Sequence, residues 1–183
     1  MEKIKQVYFK YLCAAFGSAM ISSIYSIVDM AMVGQYHGPH GTAALAVVAP
    51  IWNIIYSLGL MMGIGGSVIL SIAKGEEDEK KGHEFFSASL IGTIILAIIS
   101  WLVIIFLEEP MLTLFGGEVS LMPLSKQYLM PIKFVVPLFL FNQMLAAFLR
   151  NDNNPGLATI AVLAGGIFNV FGDYFFVLLW IWA

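Results

Sequence analysis

Five long apolar segments constrain the possible folds of this chain more than any other feature of its sequence. They cover about residues 11–33, 45–73, 86–107, 126–149 and 156–181, and a helix needs about 20 apolar residues to cross a bilayer. Only 11% of the 183 residues are charged and 60% are hydrophobic, whereas an ordinary soluble domain carries about 25% charged residues. Because lipid offers no partner to backbone polar groups, apolar segments of this length cross it as helices. The sequence therefore predicts an all-α, multi-pass membrane helix bundle.

The polar linkers between these segments predict the orientation of the bundle. They include a turn at 37–41, a charged run at 74–84 that we expect to be a solvated loop, and a tight polar turn at 150–155. With the N-terminus in the cytoplasm, the cytoplasmic segments carry seven basic residues, whereas the outer loops carry none and Lys126 lies at a helix edge. Such an excess of Lys and Arg marks the cytoplasmic side. The N-terminus lacks a cleavage signal, so we expect an anchor helix rather than a removed signal peptide.

The last apolar segment contains a polar pair that is costly in lipid. Asn169 and Asp173 lie four residues apart and therefore share one helix face, together with Gly165 and Gly172. A carboxylate at mid-span costs about 2.5–3.5 kcal/mol on insertion scales, so this face should contact protein or a water-filled cavity. Two interpretations remain open: the pair joins neighbouring helices, or it belongs to a functional site.

The first apolar segment contains a matching carboxylate, Asp29. It belongs to a polar stripe on one helix face, formed by Ser18, Ser22, Ser26 and Asp29. Asp29 lies 18 residues after Tyr11, and Asp173 lies 17 residues after Gly156, so both carboxylates should reach about the same depth. Asp29, Asn169 and Asp173 can then supply oxygen ligands to a small hard cation such as Na⁺, or share a proton. In the alternative interpretation, Asp29 reaches the outer interface from the end of its helix.

Glycines mark a close-packing face on the second segment. Gly59, Gly63 and Gly66 lie along one side, and the first two form a GxxxG motif, which favours close helix packing. Residues 63–67 lack the Gly-Lys-Ser/Thr ending of a phosphate-binding loop and follow no strand, so we reject a nucleotide site. On the fourth segment, we expect Lys133 to extend its ammonium group to the outer surface.

In their order along the chain, these features resemble the multidrug and toxic compound extrusion (MATE) transporters. The similar stretches are residues 23–34, 43–50, 63–67 and 148–155, followed by Asn169 and Asp173. The resemblance implies an antiporter, driven by Na⁺ or H⁺, that exports cationic amphiphilic drugs or toxins across a bacterial-type plasma membrane. It also implies that Asp29, Asn169 and Asp173 bind the coupling cation. We expect no catalytic residue, no cofactor beyond the coupling ion, and no nucleic-acid partner.

The chain departs from the family pattern in two respects. The family has twelve helices in two lobes with substrate bound between them, whereas residues 1–183 resemble about five helices of the six-helix amino-terminal lobe. We therefore expect a sixth helix and a carboxy-terminal lobe as partners, and no transport by residues 1–183 alone. The first segment also has no proline between Ala14 and Val33, so the proline-driven bending known in many relatives is not expected.

Some of these features are also compatible with other functions. A related family exports lipid-linked sugars, and a short helix bundle can also be a pore or a non-transporting fragment. An intramembrane aspartyl protease likewise uses two membrane carboxylates. Its G-x-G-D motif, however, requires glycine where this chain has Val170, two residues before Gly172 and Asp173. The protease is therefore a poor match, and we expect the chain not to be an enzyme.

Overall fold

The computed structural model describes residues 2–152, 156–161, 163–165, 167 and 171. Across these residues it is helical and contains no strand, which confirms the predicted all-α bundle. The helices are α1 (Glu2–Gly75), α2 (Glu79–Phe106), α3 (Glu108–Leu114), α4 (Met122–Asn151) and α5 (Gly156–Gly165). Three stretches within the described residues are long and apolar enough to cross a membrane: Ser26–Gly75, Glu79–Phe106 and Met122–Asn151. The chain is therefore a multi-pass membrane protein whose environment is the lipid bilayer.

Helix α1 is divided into two parts by Gly38, whose backbone is non-helical with φ 58° and ψ −150°. We call the parts α1a (residues 2–37) and α1b (residues 39–75). Only glycine adopts this conformation readily, because a Cβ would clash with the backbone. Gly41 allows the start of α1b to lie close to the end of α1a, since a Cβ at Gly41 would lie 2.5 Å from the His37 Cβ. The turn predicted at 37–41 is thus confirmed, and it is concentrated at one residue.

The charged run at 74–84 forms a much shorter loop than predicted. Helix α1 continues to Gly75 and α2 begins at Glu79, so only residues 76–78 connect them. The carboxylate of Asp78 accepts a hydrogen bond from the Lys81 backbone N–H at 3.0 Å and caps α2. Such a cap satisfies one of the otherwise unpaired N–H groups at a helix start. Most of the charged run therefore lies on helix ends.

The hydrophobic core lies where α1b, α2 and α4 meet, with α3 packed against one end. Its fully buried members come from all four helices: Val48, Ile51, Ile55, Ala97, Ile104, Leu112, Leu129, Val136 and Leu140. Lipid tails are as apolar as these side chains, so association in a bilayer depends on close packing rather than on exclusion of water. The fit between the helices therefore determines the stability of this core.

Glycines provide that fit between α1b and α4. A Cβ on Gly59 would lie 2.9 Å from the Gln143 Cβ, and one on Gly63 would lie 2.7 Å from the Ala147 Cβ. A Cβ on Gly66 would collide with the Ser89 side chain of α2. Real Cβ atoms do not approach so closely, so only glycine permits this separation of the helix backbones. The predicted packing role of the glycine face is confirmed.

Candidate cation site

Asp29 lies on α1a as a half-buried residue. The sequence predicts that this helix ends near residue 33, but α1a continues to residue 37, just before Gly38. Asp29 is therefore eight residues from the end of α1a, which corresponds to about 12 Å along the axis. Both interpretations of Asp29, as a cation ligand within the span and as a residue that reaches the outer interface, stay predictions.

The polar stripe around Asp29 is described only in part. Ser26 is exposed, whereas the side chains of Ser18 and Ser22 lie outside the described part of the structure. Ser23, next to the stripe, donates its hydroxyl to the Ala19 carbonyl at 3.1 Å. A serine that bonds back to its own helix in this way satisfies its hydroxyl without a partner helix.

The other two predicted ligands, Asn169 and Asp173, lie outside the described residues. Their convergence with Asp29 therefore stays a prediction. The helix on which we expect them begins at Gly156, and its described residues are helical as far as residue 171. Within the described ranges, no group of three or more His, Cys, Asp or Glu side chains is placed to hold a metal ion. A cation site of the predicted kind therefore requires Asn169 and Asp173 to lie near Asp29.

A polar cluster that the sequence did not predict joins the C-terminal ends of α1b and α4. The Asn151 side-chain amide donates to the Ser67 hydroxyl at 2.5 Å, and the Ser71 hydroxyl donates to the Asn151 carbonyl at 3.1 Å. Next to these bonds, Lys74 forms an ion pair with Asp152. We call these five residues the α1–α4 cluster. Their spacing on α1b places Ser67, Ser71 and Lys74 on one face, but no local signal identified the partner helix.

A second polar connection joins α3 to α4. Lys133 pairs with Glu108 at 2.7 Å, and the two side chains are only 23% and 19% exposed. Nearby, Lys126 pairs with Glu109 at 3.0 Å in a more exposed setting. Lys133 lies eleven residues into α4, about 16 Å along its axis, where the Glu108 carboxylate is its partner. The expectation that Lys133 extends to the outer surface stays a prediction.

Comparison with known proteins identifies a family for this chain. The MatE family model matches residues 14–175 of the chain. A multidrug export protein MepA from Staphylococcus saprophyticus is 28% identical over 155 residues, which cover 85% of this chain and 34% of that protein. MepA from Staphylococcus aureus is 25% identical over 154 residues, covering 84% of this chain and 34% of the relative.

The chain thus spans about a third of the length of these curated relatives. No solved structure matches it. The family match nevertheless extends over most of the sequence and includes Asp29, Asn169 and Asp173. The chain belongs to the MatE family.

Proposed function

We propose that this chain forms part of a cation-coupled exporter of cationic, amphiphilic compounds, with Na⁺ or H⁺ as the coupling ion. The observation that supports this most directly is the half-buried carboxylate of Asp29, in a part of α1 that carries no other charged residue between Lys10 and Lys74, in a chain of the MatE family. A carboxylate within a membrane span is costly and usually marks an ion or substrate pathway. The relatives named as multidrug export proteins support drugs or toxins as the exported compounds.

In this proposal, Asp29, Asn169 and Asp173 hold the coupling cation. Carboxylate and amide oxygens suit a hard cation such as Na⁺, and two neighbouring carboxylates can instead share a proton because their like charges disfavour double ionisation. Binding of the cation favours one arrangement of the helices, and the transporter returns to the other when substrate replaces it. No covalent step is involved, so the protein is a transporter rather than an enzyme.

The proposed orientation has the N-terminus in the cytoplasm of a bacterial-type cell. Cytoplasmic ends would then include Lys74, Lys80, Lys81 and Arg150, all of which lie at one end of the α1b–α2–α4 bundle. The excess of basic residues at that end supports the assignment. We also propose that a sixth helix and a second lobe complete the transport path, since alternating access requires one bundle to move against another.

The test is to reconstitute the full-length protein into vesicles and to impose Na⁺ and H⁺ gradients in turn. Export of a cationic fluorescent dye should follow one of the gradients, and Asp29→Asn should reduce it at least about tenfold. Glu84→Gln is the matched control, since Glu84 is an exposed carboxylate on α2. Dye movement without a gradient would indicate a pore. Movement of a lipid-linked sugar but not of dye would favour the related sugar exporters.

A further inference from the structure

The α1–α4 cluster lies directly before α5, the helix on which two of the three proposed cation ligands are expected. Asn151 is the last residue of α4, and Asp152 caps that helix by donating its backbone N–H to the Phe148 carbonyl at 2.8 Å. Gly156, the first residue of α5, follows Asp152 by four residues. A chain of that length spans at most about 14 Å, so the position of Asp152 limits where α5 can begin.

The cluster continues a regular row of contacts between α1b and α4. Gly59 meets Gln143, Gly63 meets Ala147 and Ser67 meets Asn151, with each partner 84 residues further along the chain. The row advances by four residues on both helices, so one face of α1b follows one face of α4 in parallel. The Asn151–Ser67 hydrogen bond is the last member of this row, and the only one of these three pairs joined by a side-chain hydrogen bond.

The members of the cluster differ in how firmly they can fix the helix ends. Ser67 is fully buried, and Asn151 is half-buried, so their hydrogen bond is partly shielded from water and stronger than an exposed one. The side chains of Lys74 and Asp152 are 51% and 41% exposed, and such ion pairs contribute little. The Asn151–Ser67 bond is therefore the main polar connection.

We infer that Asn151 and Ser67 are positioning residues for the proposed cation site, a role that rests on the proposed function. They hold the end of α4 in a fixed register on α1b, and that register sets the starting depth and rotation of α5. A slip of one residue would move α5 by about 1.5 Å along its axis and turn it by about 100°. Cation ligands tolerate displacements of only a few tenths of an ångström, so loss of the register weakens the site without removing a ligand.

The experiment is a double-mutant cycle in the full-length protein, with Ser67→Ala, Asn151→Ala and the double variant. The measured quantity is the cation concentration that gives half-maximal dye export, with Na⁺ or H⁺ as the wild type requires. Each single variant should raise that concentration about fivefold, as expected for the loss of one hydrogen bond. The double variant should resemble the singles, because both remove the same bond. Asn142→Ala, which changes an exposed asparagine of α4, should have no effect.

A second measurement reports on the helices without any transport. Spin labels at Ile64→Cys in α1b and Ile160→Cys in α5 occupy exposed positions, 49% and 62% exposed, in a background where the exposed Cys13 is changed to serine. The distance distribution between them should be narrow in the otherwise unchanged protein. It should broaden in Asn151→Ala and stay narrow in Asn142→Ala.

The outcomes separate the two proposals. An unchanged distance distribution in Asn151→Ala, or effects of the single variants that multiply to about 25-fold in the double variant, would overturn the positioning role. Absence of gradient-driven export in the wild type would overturn the proposed function. The label distances would then still decide whether Asn151 and Ser67 fix the start of α5.

Discussion

Gly63 of α1b faces Ala147 of α4 so closely that a Cβ on the glycine would lie 2.7 Å from the Ala147 Cβ. The Met144 Cα would be 2.9 Å from the same position, so the obstacle is backbone rather than the end of a flexible side chain. The helices can therefore keep this separation only while residue 63 has no side chain.

Gly63→Ala should destabilise the protein by about 1–3 kcal/mol, the usual cost of overpacking a well-packed contact. The apparent Tm of the full-length protein in detergent, measured at one fixed scan rate, should fall by several degrees. Gly65→Ala is the matched control, because a Cβ there meets nothing within 4 Å and alanine favours the helix. Equal stability of the two variants would mean that the close approach of α1b and α4 does not limit stability.

This packing face could be predicted from sequence because its signal is local. Small residues at a spacing of four, such as Gly59 and Gly63, mark a close approach whatever the partner helix is. The same locality made the turn at Gly38 predictable. By contrast, the Asn151–Ser67 bond joins residues 84 positions apart, and nothing near either residue specifies the other. The pairing emerges only from the register of two packed helices.

Gly38→Ala should destabilise the turn between α1a and α1b. The combination of φ 58° and ψ −150° is open to glycine and costs other residues about 1–3 kcal/mol. Gly17→Ala, in the helical part of α1a with no atom within 4 Å of a new Cβ, should be neutral or slightly stabilising. Limited proteolysis and apparent Tm would check this, with Gly38→Ala cleaved faster near residue 38. Equal cleavage rates for the two variants would contradict the assigned strain.

Lys133→Met should be strongly destabilising because it leaves the Glu108 carboxylate mostly buried without its cation. Removing one partner of a buried ion pair costs about 3–5 kcal/mol. The Lys133 and Glu108 side chains are still about a fifth exposed, so the cost should lie toward the lower end of that range. Lys126→Met is the matched control, since its partner Glu109 is 67% exposed, and should cost less than about 1 kcal/mol.

The double variant Glu108→Met with Lys133→Met should recover most of the stability, because replacing a buried ion pair by apolar side chains is often neutral. Denaturant unfolding of the unchanged protein, Lys133→Met, Lys126→Met and the double variant would measure these differences in stability. If the double variant were less stable than Lys133→Met alone, Glu108 would have a stabilising role apart from Lys133. The pair joins α3 to α4, and no local sequence pattern near Lys133 specifies Glu108 as its partner.

The last prediction concerns Asp173, for which the sequence left two interpretations open. Asp173→Asn should abolish cation-driven export by the full-length protein while leaving its amount in the membrane unchanged or higher. The reason is that removing a charge from a membrane span makes insertion easier, whereas an amide can neither take up the coupling proton nor neutralise a bound cation. Dye export in vesicles and the quantity of inserted protein would be measured together, with the exposed Glu84→Gln as control. Undiminished export would assign Asp173 to helix association, since an asparagine amide can still form the interhelical hydrogen bonds that this role requires.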